Sequence, residues 1–490
     1  MKLPQVLLVL ILVGVLASKL YVVTLTPNPA YDSYYGMRQV DSILDTGTPL
    51  IHDDLSYQGR TTFSNPLTYY VLAFFSLFIP SVALFKFGGI LLSLVVLYLI
   101  YHTSMKLYAK PWLSVFLVAV AALNPTVFNT HLNTIIPSSL FLILFLLILD
   151  SFIQQKYTSF VTLTVLATLT SSLSLVLVLG FLFYFILLKL EALKVKKTEF
   201  ELLFFSAVFI IWYNLISYKK LFFALGSQSI WQNIPFELQS TLFAGISISA
   251  ALTFIGIVPL VLGIYGIYSS LFEKRNRKVL FIISFALSFG LLTWLGFLQL
   301  TEGLLYIIIS FILVSGHSLL QIQSFFDKTI APWMTHALFA LVIILSLVSF
   351  TTIFIYKDAT VLDAPSADEV EMMNMIPNFV PEGETVIAHI KQGHMISEIA
   401  NRKNFYDEHF VLAPRSQQRY EDARAVFLSQ SQTHVLSILH NYGVRYVLVS
   451  DLTRKEYPTT TSLFAASDCF DEIYATATTK LYKVQCILRT

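Results

Sequence analysis

Long apolar runs separated by short polar breaks fill the chain from residue 3 to residue 356, and mixed polar and apolar positions follow from there to the end. Crossing a bilayer takes about 20 apolar residues. The runs predict eleven spans, at 4–23, 83–105, 112–127, 138–153, 159–170, 173–189, 200–217, 252–272, 279–298, 304–324 and 334–356. The first is similar to a secretory signal, but Ala17-Ser18 is a poor cleavage site, and it is taken as a span. The stretch 66–80 is too short to span and is expected to be re-entrant or interfacial. The long run 159–189 must turn back on itself, and Ser171-Ser172 is the place where its polarity permits that.

Beyond residue 356 the periods shorten. Residues 419–441 repeat their apolar positions at helical spacing, YGVRYVLVS at 442–450 reads as a buried strand after a glycine stop, and 384–390 reads as a second strand. The fold class expected is therefore a polytopic α-helical membrane protein of about eleven transmembrane helices with a C-terminal α/β domain. The domains are 1–356, with long loops at 24–82 and 218–251, and 357–490.

Charge sets the orientation. Thirteen basic residues fall in the loops at Lys2, Lys106 and Lys110, Lys156, 189–197, 273–278 and Lys328, against six on the other side, namely Lys19, Arg38, Arg60, Lys86, Lys219 and Lys220. The positive-inside rule then puts the N-terminus in the cytoplasm, and both long loops and the C-terminal domain outside it. Composition agrees, with 56% hydrophobic and 13% charged residues, which excludes an ordinary soluble enzyme. A formal net charge of +2 favours no nucleic-acid partner. The two cysteines, Cys469 and Cys486, both fall in the expected external domain, where they are either a disulfide across a hairpin or two small buried hydrophobes.

Candidate chemistry gathers in the first long loop, which holds Asp32, Asp41, Asp45, Asp53 and Asp54. In PAYDSYYGMRQVDSIL at 29–44, Asp32 stands where the chain leaves the bilayer, so a carboxylate there can meet a lipid-borne phosphate and a water-borne acceptor together. It is a candidate general base, or else a helix N-cap. Arg38 and Arg60 are candidate phosphate clamps, or else headgroup contacts. Glu302 and His317 are ionisable groups at or within a span; His317 is read as an interhelical hydrogen bond.

The pattern of Asp, paired Tyr, Arg and an apolar helix after the first span resembles the first external loop of the GT-C membrane glycosyltransferases, above all the catalytic subunit of archaeal and bacterial oligosaccharyltransferases. VIAHIKQGHMISEIANRKNFYDEHF at 386–410 resembles that family's acceptor-binding segment, with Gly393, His394, Ile396, Asn401, Arg402 and Asp407 at its motif. Two departures stand out. The family's Trp-Trp-Asp-Tyr, which binds the acceptor sequon, is replaced by His389-Ile390-Lys391-Gln392. The second external loop, 124–139, lacks the family's acidic pair for a divalent metal and offers only Asn129, His131 and Asn133. The remaining pattern is more similar to metal-independent relatives that move one sugar from a polyprenyl phosphate with inversion. That resemblance implies Asp32 as the base, with Arg38, Arg60, Asp53, Asp54, Lys219, Lys220 and Glu237 toward donor and phosphate. It implies no cofactor, with Mg²⁺ or Mn²⁺ as the alternative, and membrane lipid, a polyprenyl-phosphate-linked sugar and an acceptor protein or glycolipid as partners. A non-catalytic relative that binds lipid-linked glycan, or partners another transferase, is the alternative. A transporter or flippase would carry buried ionisable pathways or an internal repeat, and neither is found.

Overall fold

A computed structural model describes residues 3–243, 247, 251–272, 276–328, 333–458, 463–464 and 468–486, the side chains of 251, 253 and 352–362 excepted. A helix stands at each of the eleven predicted runs. Six are long and apolar enough to cross a membrane: Leu3–Thr24, Ser81–Tyr108, Lys197–Ser217, Arg277–Trp294, Leu300–Lys328 and Trp333–Thr351 within a longer helix. The other five, Pro111–Ala122, Pro137–Ile153, Tyr157–Thr170, Ser174–Leu190 and Ile257–Phe272, are apolar but shorter. Stretch 66–80 holds the ten-residue helix Leu67–Ser76, whose Phe74 and Phe75 are exposed. The paired helices Tyr157–Thr170 and Ser174–Leu190 are separated by Ser171, Ser172 and Leu173.

Apolar side chains from nearly all of these helices form one continuous core, in which Leu300–Lys328 is the central element. Lipid-like packing gives helices little hydrophobic reason to associate, so close approach matters. At Gly266 a Cβ would lie 2.8 Å from the Val314 carbonyl oxygen, so only glycine lets Ile257–Phe272 sit this tightly on the central helix. Lys19 departs from expectation. It lies inside the first helix, 1% exposed, and donates to Ser93 Oγ at 2.7 Å and the Thr130 carbonyl at 2.9 Å. It is a buried strut for the 124–139 loop instead of a loop charge.

In the first long loop β1, His52–Asp53, pairs antiparallel with β2, Arg60–Thr61. The C-terminal part is a five-stranded mixed sheet in the order β4-β3-β5-β7-β6, where β3 is Thr385–Ile387, β4 Lys403–Asn404, β5 Tyr446–Val449, β6 Phe470–Ala475 and β7 Lys480–Val484. Strand β3 pairs parallel with β4 and β5, and β7 antiparallel with β5 and β6. Both faces are covered, which is why β5 reads as an unbroken apolar run. Val386, Tyr446, Leu448 and Leu481 pack with helix Ala367–Phe379 and with Tyr31, Tyr34 and Tyr35 of the first loop. Ile387, Val447, Val449 and Tyr482 pack under Ser416–Leu428 and Gln432–Asn441. The single helix expected over 419–441 is thus two, because Ser431 leaves helical geometry and caps the second by accepting from the His434 N–H. Cys469 and Cys486 form a disulfide that ties β6 to β7 just beyond their last paired residues, with Cα atoms 4.9 Å apart.

Candidate active site

Helix Tyr31–Thr46 starts immediately after the first span, behind Pro27 and Pro29. Its N-cap is Ala30, which lacks a side-chain acceptor, so Asp32 is not the cap. Asp32 sits in the first turn, where the helix dipole favours a carboxylate. The opposite face carries Tyr31, Tyr34, Met37 and Val40 into the core shared with the C-terminal sheet, and this anchoring leaves Asp32 open to a cavity of ≈ 590 Å³.

That cavity is built where the membrane helices meet the C-terminal domain. Asp32, Glu302, Glu408, His394 and His409 supply its ionisable lining, and Tyr35, Tyr69, Tyr218, Ser64 and Asn65 its hydroxyls and amide. Ser138, Thr170, Ser171, Ser172, Ser229, Gln232 and Gln299 add further polar groups, and Leu173, Val176, Leu221, Phe222, Ile230 and Leu292 are among the apolar ones. The lining thus combines carboxyls and hydrogen-bond donors with hydrocarbon side chains.

Glu408 meets Asp32 directly, donating a hydrogen bond from its carboxyl. Burial raises the pKa of both groups; Asp32 pushes Glu408 further, well above the usual carboxylate range, while the Glu408 hydrogen bond lowers Asp32. In this pair Glu408, the more strongly raised, is the proton donor and Asp32 the acceptor. Asp363 raises Asp32 further, while Lys391 forms an ion pair with Asp363 and acts on Asp32 and Glu408 in the opposite sense. Burial opposes the Lys391 ammonium, but these carboxyls outweigh it and raise its pKa. Beside them Tyr35 stacks on His409 with centroids 4.3 Å apart, and its hydroxyl reaches His409 Nε2 and Thr62 at 3.3 Å. Burial, then Arg60, pushes His409 down to about 3, and burial lowers His394, so both imidazoles are neutral at pH 7.

The 386–410 segment places these groups by a tight turn. A Cβ at Gly393 would lie 2.2 Å from the Tyr406 carbonyl oxygen and 2.7 Å from Asp407 Cβ, so the helix Gly393–Glu398 can lie against the turn only with glycine there. Asn401 adopts φ +48, a conformation asparagine tolerates. Arg402 is buried and donates to the carbonyls of Val380, Asn401 and Pro377. Asp407, 0% exposed, receives Ser56 Oγ at 2.5 Å, Asn404 Nδ2 at 3.0 Å and Arg60 at 3.1 Å. Of the motif residues, His394 lines the cavity, while Gly393, Asn401, Arg402 and Asp407 shape the turn that aims Glu408 and His409.

The expected phosphate clamps lie elsewhere. Arg60 is consumed by Asp407 and by the His409 and Val411 carbonyls. Arg38 pairs with Asp53 at 2.6 Å, and Asp53 also caps the Leu55 and Ser56 N–H groups. Asp54 is exposed beside His52, and Lys219 and Lys220 are exposed outside the cavity lining. Glu237 accepts from Gln417 Nε2 at 3.0 Å, and Asn233 donates to the Phe410 and Ala413 carbonyls, so the 226–243 segment is fastened to the C-terminal domain and walls the cavity with Ser229, Ile230, Gln232 and Phe243. His389-Ile390-Lys391-Gln392 is likewise bound up within the chain, His389 with Glu456 at 2.6 Å and Gln392 with Glu369 at 2.6 Å.

Glu408 does not stand out in the sequence beside Asp407, which carries the motif. The acidic pair inside the otherwise aromatic FYDEHF was the available signal. Among the described residues no group of three or more His, Cys, Asp or Glu side chains is placed to hold a metal ion, and the Lys391 ammonium acts on both carboxyls.

The fold is shared with two solved proteins. It is similar over 92% of the chain to the archaeal oligosaccharyltransferase AglB from Archaeoglobus fulgidus, solved with an inhibitory peptide and a dolichol-phosphate, covering 70% of that chain at TM-score 0.66 and 12% identity. It is also similar to ArnT from Cupriavidus metallidurans bound to undecaprenyl phosphate, over 96% of this chain and 97% of that one, at TM-score 0.55 and 11% identity. No family model matches the sequence, and no curated protein does.

Proposed function

We propose that the protein is a membrane glycosyltransferase that moves a sugar from a polyprenyl-phosphate-linked donor to a hydroxyl or amine acceptor at the face carrying the C-terminal domain. The observation that carries this reading is the meeting of Asp32 and Glu408 in a cavity that also has many apolar side chains in its lining. The isoprenoid lies along those apolar side chains, and the anomeric carbon sits beside Asp32. The acceptor attacks that carbon, its proton passes to Asp32, and the carbon–oxygen bond to phosphate breaks with inversion. The raised pKa suits Asp32 to this task, since a general base works best when its pKa approaches the operating pH. Glu408 holds the carboxylate oriented through its donated hydrogen bond.

Three residues of the 389–392 segment are engaged by partners within the chain, which supports an acceptor other than a sequon peptide. The charge pattern supports an external C-terminal domain. A second reading has one observation in its favour: among the described residues no Lys or Arg lines the cavity, as a non-catalytic glycan-lipid binder would permit.

The deciding experiment incubates the purified full chain with polyprenyl-phosphate sugar and acceptor extracts, comparing wild type with Asp32→Asn. Transfer by wild type and its loss in the variant, with donor still bound, is expected. Donor binding without transfer by wild type establishes the second reading. Activity abolished by EDTA and restored by Mn²⁺ would overturn the metal-free mechanism. Protease added to spheroplasts should clip 357–490, and protection there would overturn the orientation.

A further inference from the structure

A second large cavity lies outside the reaction just described. It measures ≈ 490 Å³ and sits at the other end of the same helices. Helix Pro137–Ile153 contributes Pro137 and Ser138 to the carboxyl-lined cavity and Phe152 and Ile153 to this one. A rise of roughly 1.5 Å per residue over this helix separates the two by about 25 Å.

The chemistry of the lining is reversed. Lys196, Arg277 and Lys278 face one carboxylate, Glu199. Glu199 is 6% exposed and reaches Arg277 at 3.3 Å and Lys196 at 3.7 Å, so a single buried acid fixes two cations at the wall and leaves positive charge in excess. Lys278 has no ion-pair partner among the described residues. Two long helices, Lys197–Ser217 and Arg277–Trp294, start at this wall and direct the positive ends of their dipoles to it. The Tyr184 hydroxyl supplies the independent sign of a ligand. Its side chain is 0% exposed, it lines the cavity, and the hydroxyl has no hydrogen-bond partner among the described residues. Burying a hydroxyl unpartnered costs about 1–3 kcal/mol, which a bound oxyanion removes.

We propose that this basic cavity binds a phosphate group, carried either by the headgroup of an anionic phospholipid or by a soluble phosphate ester. Lys278 offers a point charge and Tyr184 a neutral donor from the protein side, while Arg277, whose fork is engaged by Glu199 and the Lys194 carbonyl, adds its positive field. The volume lies in the range of small-ligand sites. The loops here carry the chain's basic excess, so the phosphate would come from the side opposite the C-terminal domain.

The test uses the full chain in detergent and measures retained lipid by native mass spectrometry with phosphatidylglycerol and phosphatidylcholine, and inorganic phosphate binding by titration calorimetry. Arg277 is left alone because it neutralises Glu199. Wild type should prefer phosphatidylglycerol at least ten-fold, and the Lys278→Gln/Tyr184→Phe pair should lose most of that preference while its unfolding temperature in lipid-free detergent and its transfer activity stay unchanged. Millimolar phosphate that binds, and displaces the lipid, identifies a soluble ester as the ligand, and preference without phosphate binding identifies a headgroup. Equal retention of the two lipids with no phosphate binding, or an undiminished preference in the double variant, overturns the proposal.

Discussion

Replacing Asp407 with Asn removes the charge on which the first loop is docked to the C-terminal domain. Arg60 and Asp407 are 1% and 0% exposed at the side chain and 3.1 Å apart. With an effective dielectric constant of about 20, their attraction is roughly 5 kcal/mol, and burial of both groups offsets part of it. Removing one partner still leaves a guanidinium buried without its counter-charge, so the expected loss is about 3–5 kcal/mol. At about 2–4 °C per kcal/mol for a domain of this size, the C-terminal domain should unfold on the order of 10 °C earlier. Burial alone would raise the Asp407 pKa, but His394, Arg60, Ser56 and Asn404 overcome it and hold the carboxyl well below the usual carboxylate range. The sign follows: the pair's contribution is complete above the unfolded value of about 3.9 and fades only as pH falls through the lower folded value, so the loss in Asp407→Asn is full at pH 7. Scanning fluorimetry in detergent reads the temperature. Limited trypsin digestion reads the mechanism, because undocking exposes the bond after Arg60, which is 4% exposed in the docked loop. A double replacement, Arg60→Met with Asp407→Leu, should recover much of the loss. An unfolding temperature within about 1 °C of wild type for Asp407→Asn at pH 7, with no new cleavage at Arg60, would refute the reasoning.

Asp32→Asn should slow transfer by about 10²- to 10⁴-fold, the usual worth of a general base, in a single-turnover assay. Because the Glu408 hydrogen bond lowers the Asp32 pKa, Glu408→Leu should move the acid limb of the pH–rate profile to higher pH, whereas Glu408→Gln, which keeps a donor, should leave it near wild type; equal profiles for the two would show that Glu408 does not tune Asp32. Gly393→Ala forces a Cβ against the Tyr406 carbonyl, so activity and thermal stability should fall together, by about 1–3 kcal/mol in the latter. Replacing Cys469 and Cys486 by Ser opens a loop with sequence separation 17 and should cost about 3 kcal/mol in a denaturant titration, with no change in donor affinity.

The spans were legible because a bilayer imposes one rule on every helix that crosses it, and an apolar run shows whether the rule is met. Strands β3 and β5 were legible for a related reason: burial on both faces leaves no polar register to blur the run. Asp32 was legible from its place at the exit of the first span. Its partner was not. Glu408 is brought to Asp32 by a turn that depends on Gly393 meeting Tyr406, and by a loop pinned through Arg60, and no local period records either contact. The basic loop residues show the same limit from the other side. Arg38 and Arg60 had the right chemistry to hold phosphate, but Asp53 and Asp407 reach them first, and which carboxylate claims a guanidinium is decided by tertiary packing.

The buried lysine of the first helix bears on how the protein is made. Lys19 bonds to Ser93 and to Thr130, the latter 111 residues further along the chain. At about 5–20 residues per second, that partner leaves the ribosome on the order of ten seconds after Lys19 does. In the interval an ammonium within hydrocarbon is disfavoured by several kcal/mol unless its side chain bends toward water. The first helix is therefore expected to wait at the insertion machinery or at the membrane boundary, and to become a settled part of the bundle when the 124–139 loop arrives to accept its hydrogen bond.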